Sequence, residues 1–133
     1  MSVFLDTSAL YALADAKDAH HAEARRIVER LKAEGAGLCV HEWIVLESVW
    51  LVQKRLGREA AVRLGLFFQN NPILKIHFLD ASFLEEVFSR YENRHALGMV
   101  DAASLLLMER LGLSRAFSFD RGFAAAGFSL EKA

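Results

Sequence analysis

The chain has 133 residues, 53% of them apolar and 25% charged, with eight glycines, one proline and one cysteine. That length suits one domain with its own core, and the composition excludes a disordered, collagenous or disulfide-stapled chain. A net charge of −1 excludes nucleic-acid binding through bulk electrostatics, so any affinity for phosphate has to be local.

Val3-Phe4-Leu5 reads as a short strand, and Asp6-Thr7-Ser8 then starts a helix that continues through Ala14. Asp18 is the expected cap of a second helix from about His20 to Glu34. Ala22, Ile27, Val28 and Leu31 give that helix its apolar stripe, and Gly35 and Gly37 stop it. Leu38-Cys39-Val40 is the second strand, with Cys39 read as a small core hydrophobe. A helix is expected from about Glu42 to Leu56, ended by Gly57, and another from Arg58 to Gln69, ended by Asn70-Asn71-Pro72. Ile73 to Leu79 reads as a third strand and Ser82 to Asn93 as a helix. Val100 to Leu111 is a further helix, Ala116 to Phe119 a fourth strand and Phe128 to Leu130 a short fifth.

Short apolar strands alternating with longer helices predict a parallel sheet covered on both faces, hence a single three-layer α/β domain over residues 1–133. In such sheets ligands bind beyond the carboxyl ends of the strands. No uncharged apolar stretch approaches the ~20 residues of a membrane span, and Met1 to Asp6 lacks the basic region and long apolar run of a secretory signal. A cytoplasmic location is expected.

Seventeen acids are an ordinary number, so position has to separate the functional ones. Asp6 and Asp120 follow strands directly, Asp101 opens a helix, and Asp80 lies between a strand and a helix. Each of these is comfortable as a helix cap or first-turn anion. Glu47 is harder to place, because Trp43, Ile44, Trp50 and Leu51 are its helical neighbours. A helix apolar nearly all round is expected to be buried, where a carboxylate needs a cation. An arginine partner and a metal shared with the strand-end aspartates both meet that need. Four carboxylates around one crevice repel one another unless a hard divalent cation such as Mg²⁺ or Mn²⁺ is present, and such a cation also engages phosphate.

Taken together, Val3-Phe4-Leu5-Asp6-Thr7-Ser8-Ala9-Leu10, Glu47 in its helix, Gly98-Met99-Val100-Asp101-Ala102-Ala103-Ser104-Leu105 and Ala116-Phe117-Ser118-Phe119-Asp120-Arg121-Gly122-Phe123 resemble the PIN domain. Within that family they resemble the VapC-type toxin ribonucleases. The resemblance spans nearly the whole chain. It implies a parallel sheet in the order 3-2-1-4-5, with the first and fourth strands adjacent. It also implies that Asp6, Glu47, Asp101 and Asp120 are the catalytic, metal-holding acids, that Ser8 and Ser118 support them, and that Asp80 stands apart at the sheet edge. Mg²⁺ or Mn²⁺, an RNA substrate, a homodimer and a small antitoxin lying in an apolar groove are implied likewise. Trp43, Trp50, Phe67 and Phe68 are candidates for such surfaces. The chain departs from the family's pattern at Val100, Ser118 and Gly122, where a hydroxyl residue, Thr and His are frequent.

Other signals carry less. His20, His21, His41, His77 and His95 lack ligand spacing and read as surface or loop residues. No glycine-rich phosphate loop follows the first strand, so dinucleotide-binding and Walker-type readings fail. The expected activity is metal-dependent RNA hydrolysis by a toxin. A PIN-domain RNA-processing nuclease without an antitoxin and a non-catalytic PIN-type binding module are the alternatives.

Overall fold

The computed structural model describes all residues from Met1 to Ala133. Five strands, β1 (Ser2–Leu5), β2 (Gly37–His41), β3 (Leu74–His77), β4 (Arg115–Phe117) and β5 (Ser129–Leu130), form one sheet in the order β3-β2-β1-β4-β5. Every pairing is parallel, as expected. The helices α1 (Thr7–Ala14) and α2 (His21–Glu34) join β1 to β2, and α3 (Glu42–Leu56) and α4 (Arg58–Asn70) join β2 to β3. The helices α5 (Ala81–Asn93) and α6 (Met99–Leu111) precede β4, and α7 (Gly122–Ala125) leads to β5.

The strands are apolar on both faces because both are covered. Leu5, Leu38 and Phe117 share one face, under α1, α2 and α4, where they floor an apolar cavity of about 630 Å³. Phe4 and His41 point to the other face, where Phe123 of α7 packs on Phe4 and Ser104 of α6 meets His41. The helix α6 buries every residue from Ala102 to Met108, and Gly112, in the left-handed region at φ 67°, ends it. At the opposite end of the sheet from the strand tips, Glu131 is buried between Arg30 of α2 and Arg115 of β4. Burial pushes the Glu131 carboxyl up, but the two guanidinium groups outweigh it and hold it below its ordinary value.

Several sequence expectations need correction. Asp18 does not cap α2: His20 occupies the cap position, and the Asp18 carboxylate accepts the His20 N–H in the preceding turn. The fourth strand stops at Phe117 because Ser118 turns its hydroxyl to Asp6 and to the Asp120 N–H. The third strand stops at His77, and beyond it the Leu79 N–H is held by the Glu42 carboxylate at 2.7 Å. The four-residue helix α7 was not anticipated.

Helix α3 is not buried all round. Ile44, Ser48 and Val52 form its one buried stripe, while Leu46 and Trp50 are 67% and 60% exposed. The helix packs mainly on α4 and α1. His41 is not a surface or loop residue but is fully buried. Of the candidate aromatics, Phe68 is core, Trp43 and Phe67 are partly buried against the core, and Trp50 is exposed. No helix is long and apolar enough to cross a membrane.

Candidate active site

The carboxyl ends of β1 and β4 meet because the two strands are paired, Leu5 opposite Phe117. The chain leaves each strand through a polar turn, and the two turns are bonded to each other. Asp6 caps α1 and is buried, its N–H donating to the Phe117 carbonyl at 3.1 Å. The hydroxyls of Ser8 and Ser118 both donate to Asp6 Oδ2, at 2.8 and 2.9 Å, and the Ser8 N–H approaches the same oxygen at 3.4 Å. All three hydrogen bonds use Oδ2, which leaves Oδ1 as the atom for a further partner. Ser8 Oγ also accepts the Phe119 N–H, and Ser118 Oγ the Asp120 N–H.

The remaining acids come from separate elements. Glu47 lies in the second turn of α3, where the Thr7 hydroxyl donates to its Oε1 at 2.5 Å. Asp101 is in the first turn of α6, whose dipole favours an anion. Asp120 follows β4, and its Oδ1 accepts the Gly122 N–H at 2.9 Å. Gly122 fits closely there, since a Cβ on it would stand 3.3 Å from that oxygen. Asp6, Glu47, Asp101 and Asp120 line one pocket of about 400 Å³, along with Thr7 and Ser8. Ser118 stands behind Asp6. Asp80 is elsewhere, capping α5 through the Phe83 N–H, beside the edge strand β3.

Electrostatics couple the four acids. Burial pushes the Asp101 carboxyl up to about 6, and the negative charges of Asp6, Asp120 and Glu47 add to the shift. None of the four takes part in an ion pair of the chain. Arg55 is the one Arg or Lys in the pocket wall, and its guanidinium lies over the Tyr11 ring at 5.1 Å. The carboxylates surround the pocket without converging, and no three Asp, Glu, His or Cys side chains of the chain form an assembled metal cluster. The donor set nonetheless fits a hard divalent cation: all-oxygen, anionic and short of positive charge.

Sequence reasoning missed Thr7 as the residue that holds Glu47, and Tyr11, His20, Arg55 and Phe119 as pocket residues. Thr7 had a signal, a hydroxyl between two residues already singled out. Arg55 and Tyr11 had none, since they meet only when α3 packs against α1.

The chain belongs to the PIN-domain family, whose model matches residues 3–129. Among characterised proteins it is similar to the 23S rRNA-specific endonuclease VapC20 of Mycobacterium tuberculosis, with 32% identity over 95% of both chains. The crystal structure of that VapC20, described as a sarcin-ricin loop cleaving toxin, superposes with a TM-score of 0.87 at 27% identity, covering 98% of this chain and 99% of the other. VapBC2 from Rickettsia felis, solved on a promoter DNA fragment, shares the fold at a TM-score of 0.70 and 16% identity over 98% of both chains.

Proposed function

We propose that this chain is a divalent-metal-dependent endoribonuclease and the toxin of a toxin–antitoxin pair. Asp6, Glu47, Asp101 and Asp120 act as catalytic ligands of Mg²⁺ or Mn²⁺, with Ser8 and Ser118 in support. The observation that carries the reading is the pocket itself, in which Asp6, Asp18, Glu47, Asp101 and Asp120 face a single arginine and the crowding helps raise the Asp101 carboxyl to about 6. Such a charge arrangement is costly for a fold and useful for holding a cation against a phosphate. The similarity to VapC20 makes 23S rRNA the first substrate to test.

A bound divalent cation would polarise the scissile phosphodiester and lower the pKa of the attacking water. The chain's own groups hold the ligands in place. Ser8 and Ser118 fix Asp6 through Oδ2, Thr7 fixes Glu47 through Oε1, and the Gly122 N–H fixes Asp120 through Oδ1. No side chain is needed as a covalent nucleophile, since the work is positioning and charge stabilisation.

The partner proposals rest on two surfaces. The apolar cavity between α2 and α4, walled by Leu13, Val28, Leu64 and Phe67, suits a hydrophobic segment of a small antitoxin. Leu46 and Trp50 on α3 with Leu84, Phe88 and Tyr91 on α5 are exposed, and they support a homodimer.

The decisive experiment is cleavage of 23S rRNA by the purified chain in Mn²⁺. Cutting should stop in EDTA. Asp6→Asn and Asp101→Asn should each lose more than the roughly 10–100-fold typical of residues that only orient metal ligands. Undiminished cutting in EDTA, or by both variants, would overturn the reading.

A further inference from the structure

The wall of the acid pocket holds one feature that metal binding does not use. His20 and Phe119 lie ring on ring, their centroids 4.3 Å apart and their planes within 10° of parallel. Both line the same pocket as the four carboxylates. Phe119 immediately precedes Asp120, and its N–H is held at 3.0 Å by Ser8 Oγ, the hydroxyl that also donates to Asp6. Its ring is braced edge-on by the fully buried Phe117 at 6.1 Å. Phe119 is therefore held in place relative to the acids, while His20, stacked on it, is exposed.

We propose that the His20–Phe119 stack is a nucleobase subsite, on which an unpaired base beside the scissile phosphate stacks. The inference rests on the RNA reading above and deepens it. In a pocket lined by five Asp and Glu side chains and one arginine, a further anion is repelled. A neutral, flat ring is not, and dispersion against an aromatic face holds any base without need of charge. A base within a duplex has both faces covered by its neighbours, so the subsite selects looped-out or single-stranded RNA. The selection precedes chemistry, because the base must leave its stack before the adjoining phosphodiester comes within reach of the acids.

The test uses the full chain carrying Asp101→Asn, to suppress cutting, and a single-stranded RNA octamer with 2-aminopurine moved through each position in turn, in Mg²⁺. One position should show several-fold quenching of fluorescence. Adding Phe119→Leu, which keeps the packing on Phe117, should abolish that quenching and weaken binding about tenfold. Phe119→Tyr should restore both. His20→Ala, at an exposed site, should weaken binding in the same direction with the thermal midpoint unchanged. In the cleaving protein, Phe119→Leu should raise KM for a hairpin-loop RNA and leave kcat near the unsubstituted value.

Unchanged binding and quenching in both Phe119→Leu and His20→Ala would overturn the subsite and leave the nuclease reading intact. Position-specific quenching without cleavage by the unsubstituted chain would keep the subsite and overturn the nuclease. Neither binding nor cleavage of RNA would overturn both.

Discussion

Asp101 shows how the site sets its own cost. Its carboxyl ordinarily titrates near 3.8, and burial with three neighbouring acids raises it to about 6 in the fold. The folded state thus holds the proton more tightly than the unfolded chain does. The penalty is absent below about pH 4, grows as the pH rises towards 6, and is complete above it. Asp101→Asn removes the charge and should stabilise the metal-free protein at pH 7 by about 1–2 kcal/mol, after allowance for partial exposure. That gain should vanish below pH 4, as read from urea midpoints across the pH range. A gain independent of pH would show that the acids do not repel one another as described. Asp6 is the contrasting residue, because it is at once a helix cap and a site acid. Both readings hold at once, because the cap is what aims the carboxylate.

At the scale of elements, His41 joins the two helices that bring Glu47 and Asp101 to the pocket. Its Nδ1 accepts the Ile44 N–H, capping α3, so its ring proton sits on Nε2 and is donated to Ser104 of α6. Ser104 in turn donates to the Val100 carbonyl, one residue from Asp101. Burial, with His77 nearby, lowers the His41 pKa to about 4. The contribution of the neutral ring is full above pH 6.5 and is lost as the pH falls towards 4, because the unfolded chain takes up the proton first. His41→Ala should therefore cost about 2–4 kcal/mol at pH 7, from a lost cap and a cavity, and less at pH 5. Chemical denaturation at the two pH values would check this, and an equal loss at both would argue against a neutral buried ring. Nothing in the one-dimensional pattern distinguished His41 from the other four histidines, since its burial depends on α6 crossing the end of β2.

For the whole molecule, the two proposed partners depend on surfaces. The apolar side chains are distributed between the core, the cavity beside α2 and α4, and the exposed faces of α3 and α5. Expression of the chain should arrest growth, and co-expression of a small protein encoded beside it should relieve the arrest. Phe67→Lys, at a partly exposed cavity wall, should block that relief without slowing RNA cleavage, because the cavity and the acid pocket share no wall residues. Relief that persists in Phe67→Lys would place the partner elsewhere.

The alternation of short apolar strands with helices was legible from the sequence because burial on both faces leaves a parallel strand no polar alternation. It determined the layers, nearly every element and the positions of the strand-end acids Asp6 and Asp120. Resemblance, not pattern, joined these to Asp101 and Glu47 and set Asp80 aside, since each aspartate alone was equally suited to capping a helix. Only the tertiary structure decided which side chains serve those acids. Thr7 on Glu47, Ser118 behind Asp6, and the His20–Phe119 stack across the pocket wall are contacts between residues 40, 112 and 99 positions apart. It also decided that Glu47 is only partly buried, on a helix with one buried stripe. Local periodicity reports which face of an element is apolar, whereas the neighbour that covers that face is set by how distant elements pack.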